Sequence, residues 1–316
     1  MSGGSDAVAE PMAPGDDDDR SHGLEAELNE YLAARREHRL FIAEYPYALT
    51  SRAFDKSAGG RRILDLLARA APESAAWLAR VGDHAAEFRK IGDEFAGDDA
   101  EPYWDNGMIP ALDGMILYTM VQELRPATYL EVGSGNSTKF VRKAIRDGGL
   151  STRIVSIDPH PRAGIDALCD EVIRAPFEDV PEAVFADRLR PNDIIFIDNS
   201  HRSFPNSDVT VFFTETLPLL PAGIYYGIHD IFLPFDYPQA WMDRFYNEQY
   251  LLVAYLLGGA AGDEILFPGT HVVTDPQFAP AVAAIMQASG LDYAGANAGG
   301  FWMRRGPAQP AVRRSR

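Results

Sequence analysis

The stretch Tyr129-Leu130-Glu131-Val132-Gly133-Ser134-Gly135-Asn136-Ser137-Thr138 decides the fold. A short apolar run reaches an acid, passes through a turn of small residues and enters an amphipathic helix. Phe140, Val141, Ala144 and Ile145 lie at helical spacing, Ser137 or Thr138 is placed to cap the first turn, and Gly148-Gly149 stops the helix. Gly133 and Gly135 are expected to take positive φ and to leave no Cβ between the loop and a ligand. A strand, loop and helix of this kind lay a nucleotide-like ligand across the end of a parallel strand.

The pattern departs from the dinucleotide fingerprint Gly-x-Gly-x-x-Gly, because the third glycine would fall on Thr138. That glycine serves close packing around a pyrophosphate, which a ligand without phosphates does not need. Glu131 also suits a cationic ligand group better than a phosphate. The run Glu-x-Gly-x-Gly-x-Ser over residues 131–137 resembles the first motif of class I S-adenosylmethionine (SAM) dependent methyltransferases. The resemblance implies that Glu131 and the loop of Gly133, Ser134 and Gly135, with Ser137, hold the amino-acid end of SAM. An ordinary strand-turn-helix corner is the plain alternative.

Working outward, Arg153 to Ile157 reads as a second buried strand and ends in Asp158, 23 residues after Gly135. An acid at that distance, at a strand tip, can accept hydrogen bonds from both ribose hydroxyls. The resemblance accordingly assigns the SAM ribose to Asp158. A third strand, Glu171 to Ile173, leads to Pro176-Phe177-Glu178-Asp179, where the family places its adenine contacts. There Phe177 either packs on the ring or belongs to the core, and Glu178 or Asp179 is positioned to bond the amino group.

Asp193 to Asp198 is a fourth strand ending in an acid, followed by the loop 199–204 and a helix from about 208 to 220. Gly223 to Ile228 forms a fifth strand that terminates in His229-Asp230. Glu264 to Phe267 and Gly300 to Arg304 read as two closing strands around a helix near 279–288. Strands alternating with helices predict an α/β, Rossmann-like, seven-stranded and mostly parallel sheet flanked by helices, with ligands at the carboxyl ends. Glu131, Asp158, Asp198, His201, His229 and Asp230 all fall at or just beyond strand ends, on that edge.

His201 is a candidate general base, since an imidazole titrates near neutrality. Asp198, His229 and Asp230 are candidate ligands for a divalent metal, which would acidify and orient a substrate hydroxyl. Over residues 126–232 this set resembles the macrolide-sugar O-methyltransferases and the cephalosporin-hydroxylase-like proteins. The resemblance implies an acid ligand at Asp198, acidic ligands at the end of strand five, and a base at His201. This chain departs from it by carrying His229-Asp230 where the related enzymes tend to have two acids. The imidazole makes magnesium less secure and manganese, iron or zinc less excluded. A His229 that bonds a backbone carbonyl instead would leave no metal.

The 316 residues leave room for a catalytic domain with an accessory part. The expected organisation is a disordered acidic tail over 1–22, a helical accessory region over 23–125 beside or over the SAM site, a SAM-binding domain over 126–305, and a disordered basic tail over 306–316. Residues 1–30 hold nine of the 46 acids against Arg20 alone, so part of the net charge of −17 is local. The rest of the chain remains acidic, which disfavours nucleic-acid binding. A single cysteine, Cys169, excludes an internal disulfide framework. The apolar run Tyr250 to Gly262 is too short to span a bilayer, and no signal peptide is evident, so a cytoplasmic location is expected.

Tyr103-Trp104-Asp105-Asn106-Gly107 forms a polar-aromatic turn that either lines a pocket or anchors a buried corner. The aromatic-rich stretch 232–250 falls where the family places substrate-facing insertions, and Trp241, Phe245 and Leu252 keep near-helical spacing there. The expected function is SAM-dependent O-methylation of a small-molecule hydroxyl, with a homo-oligomer left open. The alternatives are a metal-dependent hydroxylase-like or hydrolytic enzyme on the same fold, and a non-catalytic SAM-binding partner module.

Overall fold

The computed structural model describes residues 16–37, 40, 45–161, 164–292 and 296–307, with the backbone alone over 16–24. The acidic tail expected over 1–22 lies outside the described residues up to 15, and the basic tail expected over 306–316 lies outside them from 308. Helix begins at Asp16 and runs to Arg36. The chain divides into two compact units, residues 1–49 and 50–316. From Thr50 onward, the helices that precede the sheet belong to the same unit as the sheet.

Seven strands form one sheet: β1 (Thr128–Val132), β2 (Arg153–Ile157), β3 (Glu171–Ile173), β4 (Ile194–Ile197), β5 (Tyr225–Ile228), β6 (Glu264–Pro268) and β7 (Phe301–Arg304). Their order is β3-β2-β1-β4-β5-β7-β6. The first five are parallel, and β7 lies antiparallel between β5 and β6. Leu130 pairs with Val155 on one side and Ile195 on the other. The strand order reverses between β1 and β4, which is where an open α/β sheet leaves a crevice.

The parallel strands are apolar on both faces because helices cover both. Tyr129, Ile154, Ile194 and Phe196 enter one apolar layer together with Phe140 and Trp302. Leu130, Val155, Ile195 and Tyr226 enter the opposite layer. Two-residue alternation therefore turns Glu131 to the face of Tyr129, beneath the helix Asn136–Asp147.

Within the helical region expected over 23–125, one long helix, Ala58–Asp83, continues through Pro72. Ser57 caps it by accepting the Gly60 amide at 2.9 Å. The helix Ala111–Leu124 is buried over most of its length and packs on Asn136–Asp147. The aromatic stretch differs from expectation. Helix Gln239–Met242 ends, Phe245 takes φ +61° and is 42% exposed, and a new helix runs over Glu248–Leu257. The break has a local cause, since the His201 carbonyl accepts the amides of Asn247 (3.0 Å) and Glu248 (3.3 Å) and so fixes a second helix start.

Candidate active site

A cleft of about 1050 Å³ opens at the carboxyl ends of β1, β2, β4 and β5. On its floor the β1 loop crosses against the end of β4. Gly133 has φ +78°, and a Cβ there would lie 1.8 Å from the Asp198 carbonyl oxygen, so only glycine permits this approach. Positive φ, expected at both glycines, is confined to Gly133. Gly135 is extended, and a Cβ added to it would meet nothing, because it faces open space.

The Ser134 amide donates to Asp158 Oδ2 at 2.9 Å, and the His160 amide donates to Asp158 Oδ1 at 2.7 Å. Both bonds hold the carboxylate at the tip of β2. Of the two candidate caps, Thr138 acts. Its Oγ1 accepts the Gly135 amide at 3.2 Å, and its hydroxyl donates to Glu131. The side chain that replaces the third glycine thus bolts the loop to β1.

Glu131 is fully buried, also accepts the Tyr129 hydroxyl at 2.9 Å, and does not line the cleft. Burial pushes its carboxyl up to about 7, against the pull of the Ser137, Thr138 and Tyr129 hydroxyls. Gly133, Ser134, Gly135, Ser137 and Asp158 all line the cleft. Phe177 and Glu178 reach it too, but the Phe177 ring is buried against Phe185 and Phe212, with centroids 5.4 and 6.4 Å away. Tyr103 also lines the cleft, while Asn106 anchors the same turn by accepting the amides of Met108 and Ile109 at 3.0 and 2.8 Å.

Across the cleft, the ends of β4 and β5 bring four polar side chains together. His201 Nε2 lies 3.3 Å from both Asp198 Oδ1 and Asp230 Oδ2. His229 Nδ1 lies 3.5 Å from Asp198 Oδ1 and 3.4 Å from Asp230 Oδ1. The second nitrogen of each ring meets a buried acid, with His201 Nδ1 2.9 Å from Glu248 and His229 Nε2 3.1 Å from Asp113. His201 and Asp230 hold their side chains from left-handed backbone, at φ +58° and +55°. Such conformations cost free energy in a non-glycine residue and cluster at functional sites.

Residues 130–231 match the family model described as a methyltransferase domain. This stretch, about a third of the chain, is similar to methyltransferase domains. The match runs from β1 past the end of β5 and so contains the loop, Asp158 and the histidine-aspartate cluster. No curated protein matches the chain. Among solved structures, the methyltransferase PaMTH1 of Podospora anserina, bound to S-adenosylhomocysteine (SAH), is 16% identical. That alignment covers 72% of this chain and 87% of the other, with a TM-score of 0.38. An O-methyltransferase of Bacillus cereus in complex with SAH is also 16% identical, over 76% of this chain and 98% of the other, with a TM-score of 0.34. MycE of the mycinamycin biosynthetic pathway, in complex with Mg, SAH and mycinamycin VI, is 16% identical over 60% of this chain and 50% of the other, with a TM-score of 0.34.

The electrostatics of the cluster follow from burial opposed by close partners. Burial alone would raise Asp198, but His229 and His201 hold it well below the usual carboxylate range. Burial would lower His201, yet Asp198 and Glu248 lift it to about 10. His229 is likewise raised, against burial, by Asp198 and Asp113. Asp230 is pushed up by burial despite both imidazoles. Both imidazoles are thereby favoured in their protonated forms by the carboxylates around them.

The donor set nonetheless fits a divalent ion. Ligand atoms of Asp198, His201 and Asp230 lie within 4.8 Å of one another. His229 Nδ1 faces the same two carboxylates but falls outside that group of mutually close atoms, and each imidazole is backed by an acid, as metal-bound histidines commonly are.

Three residues of the site escaped the sequence reading. Asp113 left a trace as a lone acid in the apolar run 109–121, whereas Glu248 left none. The third, Lys139, is only 4% exposed, lines the cleft and sets its ammonium 5.6 Å from the centre of the Tyr103 ring. Among the described residues it has no ion-pair partner. Its ammonium therefore reaches the open cleft, where it is available to an anionic group. No helix among the described residues is long and apolar enough to cross a membrane.

Proposed function

We propose that the methyltransferase domain transfers the methyl group of SAM to a hydroxyl of a small molecule, beside a divalent metal held by Asp198 and Asp230 with His201 and His229. The observation that carries this reading is the division of one cleft into two halves. The Gly133–Gly135 loop and Asp158 form one wall, and the aspartate-histidine cluster forms the other. Asp158 takes the ribose hydroxyls, using lone pairs left over by its two amide bonds. Lys139 takes the carboxylate of the amino-acid end, whereas Glu131, which the motif resemblance assigned to that end, is buried out of the cleft. Phe177 and Glu178 stand at the place of the adenine.

A bound ion would act as a Lewis acid on the acceptor hydroxyl, lowering its pKa. In this reading His201 serves as a nitrogen donor in place of the free base suggested by its position in the chain. The sulfonium of SAM is already a good leaving group, so the main work of the protein is alignment of oxygen, methyl carbon and sulfur. Trp241 and Tyr246 line the cleft on the cluster side, and the Tyr246 ring lies 4.7 Å from that of His201, so the acceptor meets aromatic surface there. The acidic body of the chain fits a small-molecule acceptor better than a nucleic acid.

Calorimetric titration of SAM into the protein, with and without a chelator, tests the reading. Saturable SAM binding, followed by metal-dependent methyl transfer in a panel of hydroxylated acceptors, is the expected result. Tight metal binding without SAM binding would move the chain to metal-dependent hydroxylase-like or hydrolytic chemistry.

A further inference from the structure

The two imidazoles of the cluster come from different loops, yet each is held in the same way. His201, on the loop after β4, places Nδ1 2.9 Å from Glu248, at the start of the helix Glu248–Leu257. His229, at the tip of β5, places Nε2 3.1 Å from Asp113, on the helix Ala111–Leu124. Glu248 is fully buried, and its Oε1 has no hydrogen-bond partner, so the imidazole is the group its carboxylate serves. Asp113 is 1% exposed and is itself fixed by the amides of Gly299 (2.7 Å) and Gly300 (3.0 Å). A Cβ at Gly300 would fall 2.9 Å from Asp113 Oδ1, so the backbone is fitted closely to this acid. Opposite these bonds, His201 Nε2 and His229 Nδ1 each face Asp198 and Asp230 at 3.3 to 3.5 Å, and His201 shares with those carboxylates a set of ligand atoms within 4.8 Å of one another.

We propose that Glu248 and Asp113 are positioning residues that present His201 and His229 as nitrogen donors, so that the site takes a nitrogen-tolerant first-row ion, such as manganese, iron or zinc, in preference to magnesium. The proposal rests on the metal reading above and specifies its donors. The physical grounds are two. A carboxylate behind an imidazole fixes its tautomer and ring orientation and makes the other nitrogen a better donor. Imidazole donors suit the later first-row ions, whereas magnesium favours an all-oxygen shell. The left-handed backbone at His201 and Asp230 aims their side chains into the same gap.

The test compares manganese and magnesium binding to the full chain by calorimetry, for the wild type, Glu248→Gln and Asp113→Asn. SAM affinity and melting temperature report whether each variant stays folded. Manganese is expected to bind the wild type at least about tenfold tighter than magnesium. Each substitution should weaken manganese about 10- to 100-fold and leave SAM affinity within twofold. Should Asp113→Asn fail to fold, Glu248→Gln decides the matter, because Glu248 holds no backbone amide through its carboxylate. A cobalt-substituted wild type should show d–d bands that shift in Glu248→Gln, which a purely structural role would not produce. Unchanged manganese affinity in Glu248→Gln, or equal affinity for both ions, would overturn the proposal while leaving a metal site in place. A wild type that binds neither ion would overturn the metal reading as well.

Discussion

His229 Nε2 lies 3.1 Å from Oδ2 of Asp113, a bond that joins the tip of β5 to the helix Ala111–Leu124 across 116 residues of sequence. The same carboxylate accepts the amides of Gly299 and Gly300, so three segments meet on one buried acid. Asp113→Ala would strand two backbone donors and an imidazole in a dry environment. The expected loss of stability is about 3–5 kcal/mol, measured by urea unfolding. A loss below about 1 kcal/mol would show that water or a rearranged loop satisfies these groups.

Gly133→Ala tests the loop. The new methyl would overlap the Asp198 carbonyl oxygen, and the residue would still have to keep φ +78°. Destabilisation by more than about 2 kcal/mol is expected, together with loss of SAM binding in calorimetry, because the β1 loop must retreat from β4. The companion Gly135→Ala meets no protein atom and should cost little stability. If it nevertheless weakens SAM binding, the open space at Gly135 is where the ligand lies.

Glu131 predicts a pH dependence of stability. Its carboxyl is raised from an ordinary 4.5 to about 7, with burial as the largest cause. A raised acid favours the folded state while protonated. Its stabilising contribution is thus complete below about 4.5 and is lost as pH rises through about 7. In urea titrations from pH 4.5 to 8, the wild type should lose stability relative to Glu131→Gln across that window and then level off. Parallel curves for the two proteins would place the titration elsewhere.

Lys139→Met separates the two ends of the donor. SAM affinity should fall about 10- to 100-fold, the usual worth of a charged hydrogen bond. Affinity for 5′-methylthioadenosine, which lacks the amino-acid end, should stay constant. An equal loss for both ligands would mean that Lys139 supports the loop without touching a carboxylate.

The limits of reading along the chain show in particular residues. The strands and the capped helix after β1 are legible because alternation, turn glycines and caps act over a few residues. Asp158, Asp198, His229 and Asp230 are legible for the same reason, since each ends a strand and parallel strands put their ends on one edge. The inward turn of Glu131 follows from two-residue alternation with Tyr129, although its place in the motif suggested the cleft.

The sequence by itself therefore determined the sheet, its ligand-binding edge and most of the side chains gathered there, because these depend on local periodicity and on the handedness of β-α-β connections. Tertiary structure alone decided which way the side chains face. Glu248 reaches His201 across 47 residues and Asp113 reaches His229 across 116. No spacing rule relates such pairs. Their meeting is set by how whole helices pack on the sheet, and that packing places a buried acid behind one ring nitrogen of each histidine.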